Sequence, residues 1–414
     1  MNNRMMSAFT VLFIAWLTYF FSYMSRMSWP PIIPLASSDY GINSAQAGSF
    51  MTAFYVGYVI TQIPGGFLTD RYGYRKVLLG CFFIIGASTL MTGLVPDFRL
   101  GLVARFFAGV GSGAIFSSGL VAITDWFPKN RRGLANGIFM TSTSLGVSVV
   151  NLYVPVVANG YGWRATFLVS GILPFLGLVL GYFLLKERTP MAQQRKEQNS
   201  NRFSHDLMSI LKNRNLMLVG LSGFCGQWAT LGVATWANTY LNKSLNLSLV
   251  QAGLFMSFYA IAALLCKPLT GLMSDYVNRK SLTFWILLLI VPMLLWFGVN
   301  RNLSMLYFLI PTIGVLAYAF YPIMNTIICE SVDKKLVGTA SGVVNSMWQL
   351  GALISPLVVG AVIDATHNYF YVFATLAIGP MVGALVILFV KLEKKESTVK
   401  PHTDQQFSAV KGVS

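Results

Sequence analysis

Long apolar segments recur along the whole chain, and they restrict the fold more than any other feature of the sequence. Twelve of them can be marked over the 414 residues, separated by Gly, Pro, Asp, Asn and charged clusters. An α-helix needs about 20 apolar residues to cross the hydrocarbon core of a bilayer. The sequence therefore predicts an all-α polytopic membrane protein of twelve transmembrane helices. The segments are approximately 8–33, 45–68, 77–95, 100–124, 133–157, 164–185, 214–240, 250–272, 281–299, 303–328, 336–361 and 369–391. Pro30, Pro31 and Pro34 are expected to break or bend the outer end of the first segment.

Charge is scarce and unevenly placed. Only 11% of residues are charged, against about 25% in a soluble domain. Of the 30 basic residues, 23 fall on the side of the predicted membrane that holds both termini, and four fall on the other side. Because basic loops stay in the cytoplasm, both termini are predicted to be cytoplasmic. The net charge of +16 is thus explained by the membrane topology, with attraction to the lipid bilayer as a secondary effect, and it does not indicate binding of nucleic acid. The compact length and short loops favour a bacterial inner (plasma) membrane.

An internal repeat divides the chain into two halves. At an offset of 205 residues, the run QAGSFM at 46–51 becomes QAGLFM at 251–256, and the same register continues without gaps as far as Gly146 and Gly351. Parallel repeats of this kind place substrate between the halves near the membrane midplane, and the halves rock around it. The predicted organisation is two pseudo-symmetric six-helix bundles, 1–185 and 214–391, with a cytoplasmic linker at 186–213 and a tail at 392–414.

The loop at 66–76 (GFLTDRYGYRK) carries a family resemblance. It resembles the signature G-x-L-x-D-R-x-G of the major facilitator superfamily, and a weaker copy lies at 271–280. Gly66 permits close approach of helices and Gly73 permits positive φ. Asp70 can accept hydrogen bonds from a helix N-terminus or from nearby arginines, which would latch the cytoplasmic side. The predicted gating residues are Gly66, Asp70, Arg71, Gly73, Arg75, Arg131, Arg132 and Asp275.

A closer resemblance is to the anion:cation symporter family of that superfamily, which includes carriers of sugar acids and other organic anions. It rests on FSYMSR at 21–26, on WFP and RRGLA at 126–135, and on GTASGVVN at 338–345. The resemblance implies that Tyr23, Arg26 and Asn345 line the site. Many of those symporters have acids where this chain has Ser25 and Ser112. The carboxylates that would carry protons in the usual form of proton symport are therefore missing. Exchange, facilitated diffusion, sodium coupling and proton co-transport with the substrate all stay open.

Three basic residues lie within the predicted helices, and no acid lies clearly at mid-membrane. Arg26 is expected to contact an anion, because arginine stays charged and a cavity with unpaired positive charge favours one. The alternative is that Arg26 snorkels to the outer interface. Arg105, in an R-x-x-x-G-x-G helix typical of the superfamily, has either a structural or a coupling role. Lys267 either contacts the ligand or snorkels to the inner surface.

Helical spacing assigns further polar residues to the site. Asn345 and Gln349 share a face at i, i+4, as do Tyr321 and Asn325, and Gln227 lies in the seventh segment. Each of these residues can equally serve as an interhelical contact.

The predicted function is secondary active transport of a small organic anion, a carboxylate or sugar acid, by alternating access. An alternative is efflux or uptake of a bulkier amphipathic compound, or of a phosphorylated or sulfonated one. A membrane sensor or enzyme is a third class, but no catalytic set, metal cluster, cofactor motif or ATP-binding loop is evident. The expected partners are the anionic substrate, a co-transported or exchanged ion and the lipid. The protein is expected to function as a monomer.

Overall fold

The computed structural model describes residues 3–128, 131–186, 207–332 and 336–391, and the described part is helical with no strand. Most of the predicted linker and the whole tail lie outside these ranges. One helical turn at 207–212 precedes the second half. The helices are α1 Asn3–Met27, α2 Ile33–Tyr40, α3 Ser44–Tyr72, α4 Tyr74–Leu94, α5 Phe98–Gly113, α6 Ile115–Trp126, α7 Arg132–Tyr161, α8 Trp163–Leu184, α9 Arg214–Lys243, α10 Leu249–Tyr276, α11 Arg279–Val299, α12 Leu303–Glu330, α13 Val337–Thr366 and α14 Tyr369–Ile387.

These helices form twelve spans, as predicted. Eleven of them are long and apolar enough to cross a membrane, counting α1–α2 and α5–α6 as one span each. The twelfth, α3, has 29 residues but carries many Gly, Ser, Thr, Gln and Tyr residues, which lower its hydropathy. Its buried position between the other helices explains that composition, since α3 packs against α5 in its own half and α13 in the other. The side of the membrane with the start of α1 is called the terminal side below, and the opposite side the distal side.

Two spans are interrupted. The first is broken by a 3₁₀ turn at Pro30–Ile32, because Pro30 and Pro31 cannot donate the backbone hydrogen bonds that would continue α1. This confirms the predicted break at the outer end of the first segment, but the span continues through α2 and ends at Tyr40 rather than near residue 33. The fourth span is divided at Ala114, after a glycine-rich run, into α5 and α6.

The two halves meet on the distal side. Near its start, α3 packs against the end of α13, and α10 packs in the same way against the end of α7. Hydrogen bonds cross this junction: Thr52 Oγ1 donates to the Leu353 carbonyl at 2.8 Å, and Asn238 Nδ2 donates to Asn151 Oδ1 at 3.0 Å. The distal ends of the halves are therefore closed against each other.

The terminal ends of the same helices stand apart. Within the described part of the chain, a Cβ added at most terminal-side glycines of α3, α7 and α13 would meet no atom within 4 Å, whereas Gly65 packs against Ala114 of its own half. The open positions are Gly66, Gly133, Gly137, Gly338 and Gly342. The helices that touch on the distal side thus diverge toward the terminal side. The central space of the transmembrane bundle opens on that side.

Candidate functional site

Arg26 lies at the centre of the N-terminal half, near the end of α1. Its side chain is 1% exposed. Four aromatic rings surround its Cζ, with centroids at 4.5 Å for Tyr23, 4.9 Å for Phe54, 5.1 Å for Tyr55 and 4.6 Å for Tyr58. No carboxylate in the described ranges forms an ion pair with it. The guanidinium is therefore held by ring faces and is not neutralised, and it does not snorkel to the interface.

One edge of this guanidinium has no hydrogen-bond partner. Nε and Nη2 of Arg26 are both buried and unpartnered within the described part of the chain. The two nitrogens lie on the same edge of the planar group, which is an edge that binds a carboxylate or a similar oxyanion through two parallel hydrogen bonds. A buried donor without a partner is costly, so the site is incomplete as it stands.

Arg105 serves a different purpose. Its Nη1 donates to the Ser25 carbonyl at 2.7 Å and its Nη2 to the Arg26 carbonyl at 3.0 Å. The Arg26 carbonyl has no helical partner because the residue four positions later is Pro30. Arg105 therefore caps the broken end of α1 and fixes the backbone that carries Arg26. This favours the structural interpretation of Arg105 over direct coupling.

Lys267 of α10 reaches across to the other half. Its Nζ donates to Ser144 Oγ at 2.8 Å and to Thr143 Oγ1 at 3.3 Å, both on α7. It also lies 5.1 Å from the ring centroid of Tyr318. The half-buried side chain thus points between the halves rather than toward the inner surface, so the snorkelling interpretation is wrong for this conformation.

A small cavity lies next to residues that contact these two cations. Residues of α1 and α7 line it on one side, and residues of α10 and α12 line it on the other. Tyr23, whose ring contacts Arg26, and Tyr318, whose ring contacts Lys267, both belong to its wall. The lining residues are Tyr23, Thr143, Ser144, Val147, Ala260, Ala263 and Tyr318. A central cavity between two repeated helical bundles is the arrangement of an alternating-access carrier.

Comparison with known proteins agrees with this architecture. A family model described as "Major Facilitator Superfamily" matches residues 15–352 and 234–413. The chain belongs to the major facilitator superfamily. It is a transporter and not an enzyme, as predicted.

Similar proteins are described as probable transporters. The one for sulfoacetate from Cupriavidus necator is 28% identical and covers 94% of this chain and 95% of its own. The one for galactarate and D-glucarate from Bacillus subtilis is 24% identical, with 87% and 86% covered. The one for nitrate from Staphylococcus epidermidis is 26% identical, with 90% and 94% covered. These relatives agree with the predicted resemblance to the anion:cation symporters.

A solved structure supports the fold alone. A bacterial homologue of the human lysosomal transporter Spinster, in an inward-facing and occupied conformation, superposes with a TM-score of 0.79 at 16% identity. The match covers 92% of this chain and 96% of that one. The all-α polytopic fold predicted from the apolar segments and the major facilitator fold implied by the resemblance are both confirmed.

The other predicted binding residues of this transporter divide into two groups. Gln227 and Gln349 are both nearly buried, and Gln227 Nε2 donates to Gln349 Oε1 at 3.4 Å, so they meet as a pair. Tyr321 packs edge-on against Trp348 and stacks on the cavity residue Tyr318. Asn345 is half-buried and Asn325 is exposed, and neither is among the residues that line the cavity.

The predicted gating residues lie where the bundle is open. Gly73 has φ of 84° between α3 and α4, as expected. Arg75 donates to the Tyr182 carbonyl at 2.8 Å, and Arg132 donates to the Phe127 and Thr124 carbonyls. The close helix approach expected at Gly66 is absent in this conformation. The reason is that the terminal side is open here, so no described atom of another helix lies close to Gly66.

The remaining predicted gating residues lie at the ends of helices. Asp70 and Arg71 lie in the last turn of α3, where the Arg71 guanidinium lies 5.3 Å from the Tyr72 ring, and Asp275 lies at the end of α10. Arg131 immediately precedes α7. Their closing function stays a prediction.

Two serines stand where the resembled symporters have acids, and both form hydrogen bonds within the N-terminal half. Ser25 Oγ lies 2.6 Å from Thr89 Oγ1, and Ser112 Oγ donates to the Ala108 carbonyl at 2.8 Å. Every acidic residue in the described ranges lies within a few residues of a helix end or in a loop. No carboxylate therefore enters the described part of the central cavity.

Sequence reasoning missed several residues that matter. Tyr55 and Tyr58, with Phe54, form most of the cage around Arg26, and their i, i+3 and i, i+4 spacing in α3 is a signal that points them to one face. Thr143 and Ser144 had no comparable signal, because small hydroxyl residues are common at helix contacts.

Proposed function

We propose that this transporter carries a small organic anion across the membrane by alternating access, with Arg26 as its principal contact. The single observation that carries the proposal is the buried, unpartnered Nε/Nη2 edge of Arg26 inside a cage of aromatic rings. Such an edge fits the two oxygens of a carboxylate or another oxyanion.

The cage explains how the empty carrier tolerates the charge. Ring faces attract the guanidinium and compensate part of its loss of water, but they offer no full negative charge. Since Tyr23 lies between Arg26 and the cavity, an entering anion has to displace that ring to reach the free edge. Binding would thus exchange a cation–π contact for a charge-assisted pair, and the ring would close behind the substrate.

The relatives support an anionic cargo. Sulfoacetate, galactarate, D-glucarate and nitrate are the compounds named for them, and all are anions. Tyr321, which stacks on the cavity residue Tyr318, and the Gln227–Gln349 pair would supply neutral hydrogen bonds to hydroxyl or carbonyl oxygens of such a cargo.

The membrane placement belongs to the same proposal. The distribution of basic residues supports a bacterial inner membrane with both termini in the cytoplasm. The open terminal side then faces the cytoplasm, and the conformation is inward-facing. The described chain contains a complete pair of bundles around one cavity, so a monomer suffices for transport.

A competitive uptake screen in proteoliposomes tests the proposal. The compounds should span carboxylates, sulfonates, phosphates and neutral sugars, with and without pH and sodium gradients. We expect anions alone to compete, and Arg26→Ala to abolish uptake while Arg26→Lys retains a fraction of it. Lys280→Gln, which removes a cytoplasmic-side charge outside the cavity, is the control. Carriage of only neutral or cationic compounds would refute the proposal.

A further inference from the structure

We infer that the preferred cargo is a dianion, with one acidic group on Arg26 and the second on Lys267. The inference rests on the proposed function and specifies its substrate class. It comes from the position of Lys267, which neither the family match nor the resemblance to known symporters assigns to the substrate.

Lys267 is a cation that neutral groups hold in place. Two hydroxyls accept from its Nζ, Ser144 at 2.8 Å and Thr143 at 3.3 Å, and no acid in the described ranges forms an ion pair with it. An ammonium has three donors, so one is left for a further partner. Ser144 and Thr143 both line the central cavity, so the ammonium lies directly behind residues of the cavity wall.

The placement of Lys267 is unusual for a membrane lysine. Lysines within a helix commonly extend along it toward the nearest water interface. Lys267 instead spans the gap between α10 and α7, where its charge is half-buried. An anionic group that enters the cavity can compensate this charge there.

Arg26 and Lys267, from opposite halves, each contact residues that line the same cavity. The wall residue Tyr23 lies 4.5 Å from the Arg26 Cζ, and the wall residue Tyr318 lies 5.1 Å from the Lys267 Nζ. A monoanion on Arg26 leaves the second positive charge uncompensated. A dianion compensates both and binds the two halves together.

The wall residues favour a cargo with acidic groups at both ends. Thr143 and Ser144 present hydroxyls there beside Lys267, so a chain with only one acidic end would place apolar atoms against its ammonium.

Matched substrate pairs test the inference. Sulfoacetate and isethionate share a two-carbon sulfonate skeleton but differ in the second acidic group, and D-glucarate and D-gluconate differ in the same way on a sugar skeleton. Initial uptake of each labelled compound should be measured in proteoliposomes. We expect at least one pair to show a tenfold or greater preference for the dianion in the native protein.

Substitution of Lys267 then identifies the cause of the preference. Lys267→Gln should reduce the dianion-to-monoanion ratio at least tenfold and leave monoanion uptake within about threefold of native, while Lys267→Arg should restore most of the ratio. Ser144→Ala provides the comparison for the cross-half hydrogen bond, since it removes that bond but keeps the charge. If the bond alone mattered, Ser144→Ala and Lys267→Gln would slow all four compounds alike, and the inference would be wrong.

The outcomes separate this inference from the proposed function. Three results would overturn the inference but not the proposed function. They are equal uptake of dianion and monoanion, an unchanged uptake ratio in Lys267→Gln, and failure of all four compounds to bind. The broader proposal would fall only if the wider screen found no anionic cargo. If Lys267→Gln proves inactive, binding of sulfoacetate and isethionate, followed by tryptophan fluorescence, supplies the same ratio. A reduced ratio of affinities would then support the inference, and an unchanged ratio would overturn it.

Discussion

The Cα of Gly48 lies directly against the backbone carbonyl of Pro356, so that a side chain at residue 48 would overlap the carbonyl oxygen. The contact joins α3 of one half to α13 of the other. Gly253 lies in the same way against the carbonyl of Asn151. Both members of the second pair are related to the first by the 205-residue offset, because 48 corresponds to 253 and 151 to 356. The distal closure is therefore built twice from one repeated contact.

Enlarging either glycine should prevent this closure. We expect Gly48→Leu or Gly253→Leu to open the distal side, because the obstacle is backbone and cannot move out of the way as a flexible side chain can. Spin labels at Tyr161 and Leu303, exposed residues at the distal ends of opposite halves, would report the change as a longer distance. The double variant should give the largest population of the open form.

Gly80 provides the matched control for that experiment. A Cβ at Gly80 meets no atom within 4 Å, so Gly80→Leu should leave the label distances unchanged. A closed distal side in Gly48→Leu would contradict the assignment of this contact as the closure.

Asp364 adds an electrostatic contribution to the same closure. Its two carboxylate oxygens accept from the backbone nitrogens of Ser44 and Ala45 at 2.9 and 2.8 Å, across the halves, at the N-terminus of α3. An anion at a helix N-terminus stabilises by about 1 kcal/mol, so Asp364→Asn should raise the distal-open population by roughly fivefold. The same spin-label distances measure this shift, and Asp364→Ala should raise the distal-open population further than Asp364→Asn.

Asp97→Asn is the control for Asp364. Asp97 caps α5 on the distal side by accepting from Arg99 and Leu100, but within one half. Its loss should lower thermal stability without moving the halves apart. An equal displacement in both variants would show that Asp364 acts on stability and not on closure.

The sequence was most informative where a repeat or a backbone rule applied. The 205-residue register predicted two equivalent halves, and it extends to the glycine–carbonyl pair described above. Pro30 and Pro31 predicted the break in the first span, since proline cannot donate a backbone hydrogen bond. Arg26 stood out because an arginine within a membrane helix needs a partner.

Side-chain direction could not be predicted in the same way. Lys267 can extend along α10 or across to α7, and the choice depends on hydroxyls that lie 123 and 124 residues away in the sequence. The aromatic cage of Arg26 was missed for a related reason. Tyr55 and Tyr58 belong to a different helix, and only packing shows that α3 turns that face toward α1.

Removal of Arg105 should destabilise the N-terminal half. Arg105→Gln leaves the Ser25 and Arg26 carbonyls without their donors, and an unsatisfied buried polar group costs about 1–3 kcal/mol. We expect a lower midpoint of thermal unfolding in detergent and a raised KM for uptake, because the backbone of Arg26 loses its support. Arg105→Lys should recover part of both, since one ammonium can replace one of the two bonds.

Arg99→Gln, an exposed position on the same helix, serves as the control for Arg105 and should leave both quantities near native. A variant of Arg105 with native stability but no response to a pH or sodium gradient would indicate a coupling role instead.

Because no carboxylate lines the described part of the cavity, we expect anion exchange not to depend on a proton gradient. Ser25 and Ser112 occupy the positions where the resembled symporters carry acids, and both are hydrogen-bonded locally, to Thr89 and to the Ala108 carbonyl. Exchange of labelled for unlabelled anion should therefore continue at near-native rate after an uncoupler dissipates the proton gradient. Counterflow in proteoliposomes, with and without the uncoupler, measures this directly. A loss of more than tenfold would mean that a proton moves with each cycle, and that a group other than a cavity carboxylate carries it.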